Sequence, residues 1–277
     1  MAKLQATRAI DYSQLDLSGL RTANDSGFDD NLNVNYNGIV YQDILWFEEG
    51  PDNTAFGGTG FTMQADAVTG GTVTGVLTEV WTGSAWAMDW VLEGVNVSAV
   101  SLYRAALTAS TADDMSIVTT AMSGADTFLL SRFADKMRGF GGNDLMKGMN
   151  GNDVLSGDGG NDTLVGGAGA DRLTGNAGAD VFDYNLATES GLRTSDLITD
   201  FVRGVDRIDL SGIDANSATA TNQAFTGFIR AGADFTRAGQ LRFVDGVLMG
   251  NTDSDAAAEF AIVLNGVNAL SVADLVL

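Results

Sequence analysis

The sequence of 277 residues contains no cysteine and no histidine, and proline occurs once. Without cysteine, the chain cannot be stabilised by disulfide bonds. Zinc bound through imidazole or thiolate is excluded, and so is catalysis by a Ser-His-Asp or Cys-His arrangement. A metal site in this chain must therefore use oxygen ligands, which favours calcium or magnesium.

Long apolar runs are also lacking. No stretch reaches the roughly 18 apolar residues of a membrane-spanning helix, so none is predicted. The first residues, MAKLQATR, lack the apolar region of a cleavable signal peptide. We expect export, if it occurs, to depend on another signal.

Basic residues are few: 15 against 36 acidic residues, for a net charge of −21. Such a chain repels nucleic acid and anionic membranes and attracts cations. Most of this charge lies outside the repeat described below, so the net charge alone is no evidence for metal sites.

Glycine is abundant, with 35 residues, and many of them follow a nine-residue period. Five consecutive blocks run from Gly139 to Asp183, with glycine at the first and fourth places, aspartate at the sixth and a large apolar residue at the eighth. Two earlier blocks keep only the sixth and eighth places, with Asp126 and Asp135 at the sixth. Spacing this strict argues against a set of unrelated Gly-Asn-Asp hairpins.

The period predicts a six-residue turn and a three-residue strand whose middle side chain points inward. If two blocks close one coil, equivalent residues stack every 18 residues. The aspartates then form two rows, Asp144, Asp162 and Asp180 along one edge and Asp135, Asp153 and Asp171 along the other.

Carboxylates beside the main-chain carbonyls of glycine turns predict calcium sites, since calcium takes six to eight oxygen ligands at about 2.3–2.6 Å. The predicted ligand residues are Asp126, Asp135, Gly139, Gly141, Asn143, Asp144, Gly148, Asn150, Asn152, Asp153, Gly157, Gly159, Asn161, Asp162, Gly166, Ala168, Asp171, Gly175 and Asp180. The fifth place holds asparagine in three blocks but Ala170 and Ala179 in the last two, which are expected to lack one side-chain partner.

One apolar residue in nine makes a thin core, which does not offset the ordering entropy of so many glycines. Without calcium the aspartate rows also repel each other. We therefore expect the roll to be unfolded without calcium and folded with it.

The blocks resemble the G-G-x-G-x-D-x-U-x repeat of the RTX (repeats-in-toxin) family, a calcium-binding parallel β-roll. Residues 184–277 resemble the C-terminal segment of serralysin-type RTX proteins, for example at 196–201 (DLITDF) and 204–211 (GVDRIDLS). The resemblance implies a cap on the roll and an uncleaved type I secretion signal ending at residues 274–277 (DLVL). The serralysin protease domain needs an HExxH motif, which a chain without histidine cannot contain. Residues 251–259 resemble a DxDxDG calcium loop, with Ala256 where that loop has glycine.

The predicted fold is all-β, in three parts: a β-rich N-terminal domain (1–120), the parallel β-roll (121–183) and a C-terminal β cap (184–277). Alternating residues at 32–41, 72–81 and 90–97 predict strands, and 98–107 predicts a short helix. All four tryptophans lie in the N-terminal part. Exposed, they would bind sugar rings or a partner; more often such residues are core.

These features favour a non-catalytic extracellular protein that binds calcium and acts in a surface layer, biofilm matrix, fibre or adhesion, with self-association or a cell-surface polysaccharide as partner. A glycan-binding or carbohydrate-active protein using the tryptophan-rich part is the alternative. A third interpretation is that residues 1–120 only cap the roll.

Overall fold

The computed structural model describes residues 3–6, 25–29, 34–36, 39–41, 43–49, 52–64, 67–81, 86–98 and 111–277. The chain divides into two compact units, Met1–Phe128 and Leu129–Leu277. The three-part division made from the sequence stays a prediction. Within the described residues, no helix has the length and apolar character needed to cross a bilayer.

The first unit is rich in β-structure, as predicted. Its strands are β1 (Lys3–Ala6), β2 (Asp25–Asp29), β3 (Val34–Tyr36), β4 (Ile39–Tyr41), β5 (Asp43–Glu49), β6 (Asp52–Gln64), β7 (Ala67–Trp81) and β8 (Trp86–Ser98). Six of them form an antiparallel sheet in the order β2-β5-β6-β7-β8-β1, while β3 and β4 form a hairpin. A helix, α1 (Thr111–Ala121), follows; it is absent from the sequence-based prediction.

Two predictions for this unit cannot be compared with the structure. Apart from Ser98 at the end of β8, the helix predicted at 98–107 lies outside the described residues. Trp81 pairs with Trp86 across β7 and β8, but the tryptophan side chains are also outside the described part of the chain.

Short strands dominate the second unit. Strand β9 (Thr127–Leu129) straddles the boundary and is followed by β10 (Lys136–Arg138), β11 (Leu145–Lys147), β12 (Val154–Gly159), β13 (Thr163–Val165), β14 (Arg172–Ala177), β15 (Val181–Asp183), β16 (Asp196–Ile198), β17 (Arg207–Asp209), β18 (Gln240–Val244), β19 (Val247–Asn251), β20 (Phe260–Leu264) and β21 (Leu275–Val276). A 3₁₀ turn at Val272–Asp274 precedes β21.

Alternate strands belong to two parallel sheets. Sheet 1 contains β11-β13-β15-β17-β21, and sheet 2 contains β10-β12-β14-β16-β20 with β19 and β18 added antiparallel. Leu155 pairs with Met137 and Leu173, each 18 residues away. One coil therefore consists of two blocks, which confirms the predicted roll.

The parallel pairing continues past residue 183, where the sequence period ends. Ile198 pairs with Leu173, and Ile208 pairs with Phe182. The corresponding coils are longer, with equivalent residues 25 and 26 apart instead of 18. Strands β20 and β21 add one further level to each sheet. The C-terminal region thus extends the roll as well as covering it.

The inward-facing eighth-place residues form the core between the two sheets. They are at most 3% exposed: Met137, Met146, Leu155, Leu164, Leu173, Phe182, Ile198 and Ile208. Burying one such side chain contributes about 1.5–3 kcal/mol. Ordering the backbone costs about 1–2 kcal/mol per residue. A core this thin leaves the coils in need of other stabilisation.

Candidate metal centre

Two rows of buried aspartates run along the edges of the roll, just before the strands. Each aspartate uses Oδ1 to accept a hydrogen bond from the main-chain N–H of the aspartate one coil earlier. The N–Oδ1 pairs are Asp135–Asp153 (2.8 Å), Asp144–Asp162 (2.8 Å), Asp153–Asp171 (2.8 Å), Asp162–Asp180 (2.9 Å), Asp171–Asp196 (2.9 Å) and Asp180–Asp206 (3.0 Å). One oxygen of each carboxylate therefore fixes the stacking of the coils.

The second oxygen, Oδ2, is different. Among the described residues it finds no hydrogen-bond donor in five buried aspartates: Asp153, Asp162, Asp171, Asp180 and Asp196. Buried carboxylate oxygens almost always have a donor or a metal. These atoms therefore point to a cation.

First-place glycines let the main chain approach Oδ2 closely, in a space that admits no Cβ. A Cβ added to Gly148, Gly157, Gly166 or Gly175 would overlap the Oδ2 of the aspartate five residues later. Main-chain oxygens also approach this space, since the carbonyl oxygen of Gly166 lies 2.5 Å from where a Cβ of Gly148 would be. A carboxylate oxygen beside carbonyl oxygens is a donor set that suits calcium.

The carboxylates resist ionisation in the metal-free fold. Burial raises the pKa of Asp153 to about 7 and those of Asp171 and Asp180 to about 6, against an ordinary value of 3.8. Neighbouring carboxylates raise these pKa values further, for example Asp171 acting on Asp153. A divalent cation between the coils would offset both effects.

Left-handed backbone conformations shape the turns that hold the rows. The fourth-place glycines require them: φ of Gly160 is 129°, and a Cβ there would overlap the carbonyl oxygen of Gly142. The second place is also left-handed, with φ of 68° at Phe140, 79° at Met149 and 71° at Asp158. The last three blocks hold residue types that tolerate positive φ at this place, Asp158, Gly167 and Asn176, whereas Phe140 and Met149 give no sign of it in the sequence.

The fifth-place asparagines connect successive coils. Asn143 Oδ1 accepts the N–H of Asn161 at 2.8 Å, and Asn161 Oδ1 accepts that of Ala179 at 2.8 Å. Asn152 Oδ1 likewise accepts the N–H of Ala170 at 3.0 Å. These amide oxygens stabilise the stacking of the coils. Ala170 and Ala179 end the two series of hydrogen bonds, because alanine has no side-chain oxygen to accept the next N–H.

The third-place residues of the predicted ligand set lie in the same turns. The carbonyls of Gly159 and Ala168 accept the N–H groups of Gly142 and Gly151 in the preceding coil, at 2.7 and 2.9 Å. Asn150 forms an isolated parallel bridge with Ala168. Asp126, near the start of the roll, is buried.

Two members of the rows, Asp196 and Asp206, are missing from the sequence-based set. Both stand two residues before an inward apolar residue, as in the repeat, but the longer coils hide the period. Asp196 is fully buried and its pKa is raised to about 8, mainly by burial. The buried Tyr184 hydroxyl lies near it, yet makes no well-formed hydrogen bond to the described residues.

A separate acidic cluster lies in the loop between β19 and β20, as the resemblance to a calcium loop suggests. Carboxylate oxygens of Asp253, Asp255 and Glu259 lie within 4.8 Å of one another. Buried Asn251 donates to the carbonyls of Asp255 and Ala257 at 2.8 and 2.6 Å. This asparagine holds the loop without a glycine at position 256.

A parallel roll with two rows of buried aspartates beside glycine turns defines an RTX-type, calcium-binding β-roll protein. The family described as Peptidase M10 serralysin C terminal matches residues 93–277. The chain belongs to this family, which is the part of serralysins that follows the protease and implies type I secretion.

Solved structures similar to part of the chain include two from one enzyme. They are the AlgE6R3 and AlgE6R2 subunits of a mannuronan C5-epimerase from Azotobacter vinelandii. The first is 26% identical, covers 56% of this chain and 79% of its own, and gives a TM-score of 0.27. The second is 29% identical, covers 55% and 87%, and gives a TM-score of 0.34. No curated protein matches the chain significantly.

Proposed function

We propose that this chain is a secreted, non-catalytic protein whose roll folds when it binds extracellular calcium. The observation that carries the proposal is the buried Oδ2 of Asp153, Asp162, Asp171, Asp180 and Asp196, which finds no donor among the described residues. The first four of these atoms lie against first-place glycines and, at Gly148, near the carbonyl oxygen of Gly166. A buried carboxylate without a partner is costly, so these positions favour folding only when a cation occupies them.

The position of the C-terminal residues supports export before folding. The predicted tip of the secretion signal, residues 274–277, forms the last strand of sheet 1, β21. Asp274 is 2% exposed and Leu275 is 8% exposed. Val276 is 39% exposed, so a transporter would need an unfolded chain to reach the first half of this segment. Low calcium inside the cell would keep it unfolded, and external calcium would fold it after export.

The absence of histidine and cysteine, and the match to the part of serralysins that follows the protease, support a non-catalytic role. We assign the protein to a surface layer, biofilm matrix, fibre or adhesion, with its specific contacts made by the first unit or between copies. The glycan-binding alternative depends on tryptophan side chains that lie outside the described residues, so no observation favours it.

Calcium-dependent folding is tested by far-UV circular dichroism of the chain in EGTA, then with calcium or magnesium. We expect β-sheet signal to appear with calcium and not with magnesium, because the sites offer many flexible carbonyl ligands. A spectrum in EGTA equal to that in calcium would refute the proposal.

Two variants locate the sites. Asp162→Asn removes a charge from the row and is expected to lower the number of bound calcium ions in isothermal titration calorimetry. Asp234→Asn is the control with the same chemical change: this aspartate is exposed, lies in the loop before β18 and takes no part in the rows. Equal calcium loss in both variants would argue against binding at the rows.

A further inference from the structure

Two aspartates in the rows differ from the others in how Oδ2 is satisfied. Oδ2 of Asp135 accepts hydrogen bonds from the main-chain N–H and the hydroxyl of Ser131, both at 2.9 Å. Oδ2 of Asp206 accepts the N–H of Val202 at 2.7 Å. In Asp153, by contrast, the same atom has no donor among the described residues.

The difference follows the backbone of the residue four positions before the aspartate. Before Asp153, Asp162 and Asp180 this residue is left-handed: Met149, Asp158 and Asn176 have φ of 79°, 71° and 67°. Ser131 and Val202 occupy the equivalent position without a positive φ. At these two residues the N–H is directed at the carboxylate.

These donors fill the role that a cation would have. A buried carboxylate that accepts an N–H and an O–H has its charge stabilised by charge-assisted hydrogen bonds. The hydroxyl of Ser131 is fixed in this position, since it also accepts the N–H of Phe133 at 3.1 Å. The two closed aspartates stand at opposite ends of the roll, Asp135 near its start and Asp206 near its last level.

We propose that Ser131 and Val202 replace calcium at Asp135 and Asp206, so that these two aspartates are not calcium ligands and the chain itself closes one end of each row. The proposal rests on the proposed function, because it decides which aspartates of the same rows take calcium. Four positions before Asp153, Asp162 and Asp180 the residue is left-handed and Oδ2 has no donor among the described residues, whereas the N–H of Ser131 or Val202 closes the site at Asp135 and Asp206. Asp196 does not follow this rule, because Leu192 has no positive φ and Oδ2 of Asp196 still has no donor among the described residues.

A matched pair of substitutions in one row tests this. Asp153→Asn and Asp135→Asn make the same change one coil apart, at sites that are 1% and 2% exposed. Calorimetric titration of the full chain with calcium should show a lower stoichiometry for Asp153→Asn and the wild-type stoichiometry for Asp135→Asn. Loss of calcium from Asp135→Asn to the same extent would overturn the inference. Unchanged binding in both variants would instead refute calcium binding by the row itself.

Ser131→Ala provides a milder test if Asp135→Asn does not fold. It removes the hydroxyl donor and keeps the N–H. In saturating calcium we expect a melting temperature lower by a few degrees, with calcium affinity within about twofold of wild type. A tenfold loss of calcium affinity with no change in melting temperature would show that the hydroxyl is a ligand, and would overturn the inference.

Discussion

Acid should partly replace calcium in stabilising the roll. In the metal-free fold, burial raises the pKa of Asp153 to about 7 and that of Asp196 to about 8, whereas an exposed aspartate in the unfolded chain keeps about 3.8. Between pH 4 and pH 8, approximately, the folded state then binds more protons than the unfolded state. Stability without calcium therefore falls as pH rises through this window.

The magnitude follows from the size of the shifts. One pKa unit corresponds to about 1.4 kcal/mol. Asp171 and Asp180 are raised from 3.8 to about 6 and Asp153 to about 7. Solvent screening and coupling between the carboxylates reduce the full values by roughly half, leaving about 1–2 kcal/mol per carboxylate. Several such groups together change the folded fraction of a marginal fold by orders of magnitude.

The assay is far-UV circular dichroism of the calcium-free chain at about pH 5 and about pH 7.5, repeated in saturating calcium. Without calcium, the β-sheet signal should be larger at the lower pH. With calcium the order should reverse, because calcium binds the deprotonated carboxylates and protons compete with it. A calcium-free signal that stays constant or rises with pH would refute the argument that buried, unpaired carboxylates destabilise the metal-free roll.

Three further substitutions test the parts of the coil. Gly160→Ala places a Cβ against the Gly142 carbonyl oxygen at φ of 129° and should lower the free energy of unfolding by about 3 kcal/mol or more. Gly266→Ala, at φ of 73° with nothing within 4 Å, should lower it by about 1 kcal/mol. Equal effects in urea denaturation would contradict the steric argument. Asn161→Ala removes one bond between coils and should cost about 1 kcal/mol with no change in calcium stoichiometry; loss of an ion would make Asn161 a ligand. Leu164→Ala, at a fully buried position, should lower the free energy of unfolding by about 2–5 kcal/mol. Leu192→Ala, at a position 55% exposed, should lower it by under about 0.5 kcal/mol. Similar melting temperatures for the two variants would show that the stacked apolar side chains contribute little to stability.

The coil itself could be predicted from the sequence because its register depends on strict spacing. Aspartate and an apolar residue recur every nine residues, so the pairing of Leu155 with Leu173 and of Leu164 with Phe182 follows from counting. The nine-residue period is lost where a coil contains extra residues. Asp196 and Asp206 belong to the rows, but 25 and 26 residues separate them from their partners, and counting by nine does not reach them.

The assignment of individual ligands depended on details that residue types do not reveal. Asp135 and Asp153 have the same place in the period, and only the backbone at Ser131 and Met149 separates a carboxylate closed by N–H from an open one. The fifth-place asparagines are of a residue type that binds calcium, but in the structure their Oδ1 atoms accept main-chain N–H groups of the next coil. The direction of a main-chain N–H depends on the φ and ψ of the turn, and the residue types in a polar turn do not determine these angles.

On the proposed function, the features that weaken the metal-free roll are the same ones that admit calcium. A glycine at the first place lets the main chain approach Oδ2 where a Cβ would overlap it. A left-handed residue at the second place strains the turn, and at Met149, Asp158 and Asn176 no N–H reaches the carboxylate. Substitutions that supply a donor to Oδ2, as Ser131 does, should therefore make the roll less dependent on calcium. Such a chain would fold before export, bury Asp274 and Leu275 of the predicted signal, and lose secretion for a reason unrelated to calcium binding.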